Sequence, residues 1–220
     1  GGIQEAVRAV WASWYSPRAM DYRLRAGEAV PAEPAMAVIV QRMVPPRASG
    51  MLFTAHPVTG SRSEMVLEAG PGLGEALASG RVLPDFFVLE KRGDEPPRIV
   101  ERSIATKQWR LMPLPPGSGR LEFRPLPAKE QKRPCLDDHE LRRIARLGLD
   151  VEARLGGPVD VEWTLDPKGR LHLLQARPVT ALEERPLPTP KELRARPVLW
   201  TQRFSGERWT EQATPLGWSV

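Results

Sequence analysis

A single cysteine, Cys135, stands among 220 residues. No intrachain disulfide can form, so packing alone must hold the fold, as in proteins of a reducing cytoplasm. Phenylalanine and tyrosine are scarce, at five and two residues, and seven tryptophans only partly compensate. The three histidines, His56, His139 and His172, lie too far apart for zinc-type spacing. No apolar run approaches the roughly 20 residues a membrane helix needs, and no signal peptide is visible. Lysine and arginine are dispersed, and no run of them reads as a nucleic-acid arm. The net charge of +5 therefore suits either an anionic partner or plain solubility.

What is present is globular: 41% hydrophobic and 27% charged residues are enough for a true core. The length suits one large domain or two small ones. The 24 prolines and 18 glycines predict many turns and strand ends. The chain starts at Gly1-Gly2, without Met and in mid-pattern, and we expect it to be a piece of a longer protein.

Residues 3–15 carry Ile3, Val7, Val10, Trp11 and Trp14 at helical spacing, with Trp11 and Trp14 expected in the core. Ser16-Pro17 reads as an N-cap followed by Pro in the first turn of a second helix ending near Gly27. Residues 28–34 form a Pro-containing loop. The apolar run Ala35–Val44 predicts a strand buried on both faces. Strands are also expected at MLFT (51–54), Ser63–Ala69, Asp85–Lys91 and Arg98–Arg102, with a short helix at Glu75–Leu77. Residues 112–136 are Pro-rich and read as a surface excursion. Asp137–Leu155 is the strongest helix, with Leu141, Ile144, Leu147, Val151 and Leu155 as its stripe. Asp137 and Glu140 have capping-box spacing, and Gly156 suits its end. Beyond Leu182 the Pro- and Arg-rich text reads as a linker. Helices mixed with an antiparallel hairpin predict an α+β fold.

The hairpin VDVEWTLDPKGRLHLLQARPVT (159–180) raises the functional question. Val159, Val161, Trp163 and Leu165 alternate with Asp160, Glu162 and Thr164, a strand with one apolar face. A two- or four-residue turn at Asp166–Gly169 sets Glu162 opposite Leu173 and Asp160 opposite Gln175. Glu162, Gln175 and Arg177 then share one face as diagonal neighbours, whereas a three-residue turn breaks that register. A carboxylate with an amide oxygen is hard-oxygen chemistry, suited to Mg²⁺ beside phosphates. An arginine alongside suits phosphate oxygens. A Glu162–Arg177 ion pair tying the strands is the structural alternative.

DVEWTL followed by LLQARPVT resembles the end of the nucleotide-binding domain of phosphoenolpyruvate synthase, pyruvate phosphate dikinase and rifampin phosphotransferase. VIVQRMV with SGMLFTAHPVTG, GLGEALASGRVLPDFFVL, Lys107 and the C-terminal RFSGERWTEQATPLGWS resemble further family segments in the same order. The resemblance covers nearly the whole chain. It implies an ATP-grasp C-terminal lobe with an antiparallel sheet and flanking helices. Residues 1–27 would be a helical remnant of the first lobe, 28–182 the nucleotide-binding core and 183–220 a linker. Glu162 and Gln175 would hold Mg²⁺ and the triphosphate, with Arg177 a phosphate-contacting catalytic residue. Gln41, Arg42, Met43 and Val44 would form the adenine-side hinge. ATP would pass its β-phosphoryl to a histidine on a separate swivelling domain, with pyruvate, water or a rifampicin-like hydroxyl as final acceptor. The first lobe, the histidine domain and the pyruvate-binding barrel would lie outside these residues, so this stretch alone is expected to be inactive. His56 stands where relatives more often carry Asn or Asp, and Ala105 where many carry Gly.

Other residues have a functional and a structural reading. GPGLGE suits a phosphate cradle or a tight strand-to-helix turn. Glu75 reads as a first-turn acid complementing the helix dipole. Lys107 suits a phosphate contact or an exposed strand position. His139 reads as solvated and Cys135 as unreactive. The rival to the enzyme reading is a non-catalytic basic module that binds nucleotide or nucleic acid, or a remnant without a ligand.

Overall fold

The computed structural model describes residues 2–25, 27, 36–114 and 120–179. The chain divides into two compact units, Gly1–Met43 with Leu114–Arg120 and Val44–Pro113 with Leu121–Val220. The Pro-containing loop at 28–34 and the linker beyond 182 lie outside the described residues. Among the described residues no helix is long and apolar enough to cross a membrane.

The first unit holds α1 (Gly2–Ser13) and α2 (Pro17–Arg25). Ser16 starts α2 as expected, its Oγ accepting from the Ala19 N–H at 3.3 Å. The tryptophans are not core. Trp11 is 52% exposed, its indole donating to the Met36 carbonyl. Trp14 is half-buried beneath the Arg23 guanidinium, 3.8 Å from the ring centroid. The amphipathic spacing was read correctly, but no described element covers the apolar face of α1, which buries no residue. Met36–Val44 is not a strand either; Ile39 is 88% exposed, and Val40 and Met43 are exposed with it. A strand exists only through its ladder, and no described segment pairs with this one.

The second unit is built on a six-stranded antiparallel sheet, ordered β4-β3-β2-β1-β7-β8. Its strands are β1 (Ala48–Phe53), β2 (Glu64–Pro71), β3 (Asp85–Arg92), β4 (Glu95–Ser103), β7 (Val159–Leu165) and β8 (Leu171–Pro178). Pro96 and Pro97 are tolerated because β4 is an edge and because they fall at a register shift, together opposite Lys91, where the ladder is already interrupted. α5 (Asp138–Leu155) follows its sequence signals. Asp137 and Glu140 form the reciprocal capping box, and Gly156 ends the helix in the left-handed region at φ 76°. One face of the sheet is apolar and packs with α5: Leu52, Leu67, Phe87, Val161 and Trp163 meet Leu141, Ile144 and Ala145. The buried stripe of α5 turns through Ala145 and Gly148, leaving Leu147 half-buried and Leu155 exposed, against expectation. A straight helix drifts off a fixed register, so its last turn leaves the sheet. Arg47–Glu140, Lys91–Glu152 and Arg102–Asp138 ion pairs run from the sheet side to α5.

The Pro-rich excursion also differs from expectation. β5 (Trp109–Pro113) pairs with β6 (Leu121–Pro125) in a separate two-stranded sheet, followed by α4 (Ala128–Gln131). α3 (Glu75–Ala78) packs its Ala76 and Leu77 against Leu111 and Phe123 of this hairpin. Prolines such as Pro113 and Pro125 at the strand ends masked a pattern that long-range packing supports.

Two expectations test this fold. A methyl group on Gly50 would overlap the Glu68 carbonyl oxygen and lie 2.7 Å from Trp163 Cζ2. Gly50→Ala is expected to cost about 3 kcal/mol or more through overpacking, read from the urea midpoint. The second concerns His56, whose Nδ1 accepts from the Val58 and Thr59 N–H groups at 3.2 and 3.3 Å. This is the acceptor role an Asn or Asp side chain plays in such a turn. Burial pulls the imidazole pKa below its ordinary 6.5, against the opposing charges of Glu64 and Glu101. The unfolded chain then binds more protons, so stability falls as pH drops through the ordinary histidine value of 6.5 and below. His56→Asn should flatten that part of the melting-temperature profile, and an unchanged profile would discount the histidine.

Candidate functional site

The turn of the β7–β8 hairpin is a three-residue loop. The Asp166 N–H donates to the Arg170 carbonyl at 3.0 Å, and Gly169 takes φ 75°. The Asp166 carboxylate accepts from the Lys168 and Arg170 N–H groups and from Arg170 Nε. Burial pushes its pKa up, but these hydrogen bonds, with His172 contributing, outweigh it and hold the carboxyl well below the usual range. Such a loop alone would set Leu174 opposite Glu162. A register shift between Glu162 and Trp163 skips Leu174, and Glu162 pairs directly with Gln175, Asp160 with Arg177. The expected diagonal relation is therefore corrected to direct cross-strand pairing. Two irregularities cancel, and the same-face parity survives.

This face lies opposite α5 and is mixed, its charged residues standing beside a small apolar cluster of Met51, Phe53 and Val66. In register across it run Gln175, Glu162, Met51, Glu68 and Phe86. The adjoining row is Arg177, Asp160, Phe53 and Val66. Facing residues on neighbouring strands have Cβ atoms about 5 Å apart, so Glu162 and Gln175 can serve one ligand. Glu162 is half-buried, while Gln175 and Arg177 are exposed. Arg177 donates through Nε at 2.8 Å to Asp160 Oδ2, and its Nη2 lies 2.7 Å from the same oxygen. The structural alternative paired Arg177 with Glu162; the guanidinium is held by Asp160. The reason is registry: Asp160 is the residue directly across from Arg177.

The Gly72–Glu75 turn folds over one end of the same face. A Cβ on Gly70 would strike Leu77, and one on Gly74 would lie 3.7 Å from Ser49 Cβ. Ser49 Oγ and Thr164 Oγ1 share a buried hydrogen bond of 2.8 Å beneath it. Glu75 is exposed in the first turn of α3.

Gln41, Arg42 and Met43 fall in the first unit and Val44 at the start of the second; the first three are exposed and irregular. Lys107 is not exposed. It is buried, ion-paired to buried Asp85 and bonded to the Ala105 carbonyl at 3.0 Å. Asp85 also accepts from the Ala105 and Cys135 N–H groups at 3.0 and 2.7 Å. Burial, with Asp85 adding to it, pushes the Cys135 thiol far above its ordinary range, which keeps it unreactive. Sequence reasoning did not single out Glu68, a buried acid on the mixed face. Its signal was available: Glu64, Val66 and Glu68 alternate with Met65, Leu67 and Ala69.

Residues 2–196 match the AMP/ATP-binding domain of pyruvate phosphate dikinase. The chain belongs to that family. A rifampicin phosphotransferase from a Streptomyces species is 45% identical over 184 residues, covering 82% of this chain and 20% of the relative. The Streptomyces sviceus rifampicin phosphotransferase is 39% identical over 218 residues, 99% of this chain and 24% of that protein. A probable phosphoenolpyruvate synthase of Methanocaldococcus jannaschii is 35% identical over 182 residues, covering 83% and 15%. The chain therefore spans a quarter or less of the length of these relatives.

The Asp160–Arg177 pair yields a prediction. Its carboxylate is buried but its guanidinium is half exposed, so solvent screens much of the interaction. Asp160→Asn is expected to lower stability by about 1 kcal/mol, measured by urea unfolding. A loss of several kcal/mol would mean that the pair holds the whole hairpin.

Proposed function

We propose that this chain is the nucleotide-binding part, an ATP-grasp C-terminal lobe, of a longer phosphoenolpyruvate-type phosphotransferase. The observation that carries the reading is the direct pairing of Glu162 with Gln175, beside an arginine already oriented by Asp160. Among the described residues no three His, Cys, Asp or Glu side chains converge. The donor set on offer is one carboxylate and one amide oxygen, which fits Mg²⁺, an ion that keeps few protein ligands and takes others from phosphates and water. Glu162 and Gln175 would hold that ion, which when bound neutralises charge on bridging phosphate oxygens.

In this reading Arg177 meets the phosphate oxygens and stabilises charge that develops on the transferred group. Asp160 fixes the direction of the guanidinium through Nε. Gln41, with the backbone of Arg42, Met43 and Val44, takes the adenine side. ATP gives its β-phosphoryl group to a histidine of a separate swivelling domain; AMP leaves, and water releases the γ-phosphoryl as phosphate. The final acceptor is pyruvate or a rifampicin-like hydroxyl. The 45% identity to a rifampicin phosphotransferase supports the latter.

The test is made on the full-length protein. Glu162→Ala should abolish ATP-dependent phosphohistidine formation while the circular dichroism spectrum stays native. Gln175→Ala should weaken it less, since an amide contributes no charge. AMP release persisting in Glu162→Ala would refute the metal-ligand role.

A further inference from the structure

The β5–β6 hairpin has two unlike faces. Leu111 and Phe123 face α3 and its small apolar cluster. The hairpin is tied to the Gly72–Leu73 turn by a parallel bridge at Leu111 and by a 2.9 Å bond from the Leu73 N–H to the Leu111 carbonyl. The alternate residues Arg110 and Met112, with Glu122 and Arg124 across from them, form the other face. There Arg110 stands directly opposite Arg124.

Like charges at facing positions of a ladder repel, and a two-stranded ribbon has little stability to absorb it. Glu122, the one acid among these four residues, is engaged with Arg124, 2.8 Å from its Nε. Arg110 forms no ion pair among the described residues. Its side chain is half-buried, and its Nε is sealed from solvent without a hydrogen-bond partner. A sealed guanidinium N–H that bonds to nothing is costly, and a turn of the half-buried side chain toward a bound acceptor on the open face removes the cost.

We propose that Arg110 and Arg124 form a phosphate-binding site on the hairpin face turned away from α3, separate from the Glu162–Gln175 face. Two guanidinium forks about 5 Å apart at Cβ outnumber the two oxygens of a carboxylate, which a single fork satisfies. A phosphate group offers three oxygens and close to two charges, and can accept from both. The ligand is free phosphate or a phosphate monoester.

The whole chain is titrated calorimetrically with inorganic phosphate and, separately, with O-phosphoserine, at constant ionic strength. Saturable binding is expected for at least one, and the tighter of the two identifies the source. Arg110→Gln and Arg110→Lys should each weaken it about tenfold or more, the latter because a lysine lacks the fork. Arg124→Gln, at an exposed position, should give the same loss without disturbing a half-buried side chain. Arg177→Gln should leave the affinity unchanged. Non-saturating heats, an unchanged affinity in Arg124→Gln, or loss of binding in Arg177→Gln would overturn the proposal. The last outcome would assign the phosphate to the strand-pair face instead.

Discussion

The period-two alternation of β7, set in a sheet that α5 covers on one side only, is the constraint on which the site depends. Val159, Val161, Trp163 and Leu165 are fully or almost fully buried in the α5 core. Their burial commits Asp160, Glu162 and Thr164 to the other face, because successive side chains of a strand point to opposite sides. A slip of one residue would drive two carboxylates into that core, at a cost far beyond the stability of a small domain. The mixed face is therefore defended by the apolar one.

Two ion pairs show how differently the same charges act by position. Asp85 and Lys107 are both buried, and Asp85 accepts three hydrogen bonds, from Lys107 Nζ, Ala105 N–H and Cys135 N–H. Such a pair is tolerated because its hydrogen bonds are made, and it ties β3 to the segments leading into β5 and α5. Asp160 and Arg177 are arranged otherwise: the acid is buried and the guanidinium half exposed. That asymmetry leaves a cation oriented by the protein yet within reach of a ligand. The lysine that the sequence offers as a phosphate contact is buried against Asp85, whereas the arginine side chain stays half exposed.

Much of the fold was legible. α5 carried its own start and stop in Asp137, Glu140 and Gly156, all local signals, and β1, β2 and β3 carried apolar runs bounded by turn residues. Illegible were features made by partners distant in the chain. Met36–Val44 reads as a strand but has no described ladder partner, and β5 and β6 are short, Pro-flanked and held by Leu77 and Phe123 contacts. In the site, the face of Glu162, Gln175 and Arg177 was readable from parity, while their exact partners depended on a turn length and a skipped Leu174 that no local pattern encodes.

By itself the sequence determined the α+β class, the apolar and polar faces of β7, and membership of a nucleotide-binding family carried by long ordered motifs. Only the tertiary structure decided that Asp160 holds Arg177, that Lys107 pairs with Asp85, and that the Gly72–Glu75 turn closes over Ser49. The reason is physical: side-chain periodicity is local and set by backbone geometry, whereas the choice of ion-pair partner depends on register and burial, which arise only when strands far apart in the chain are brought side by side.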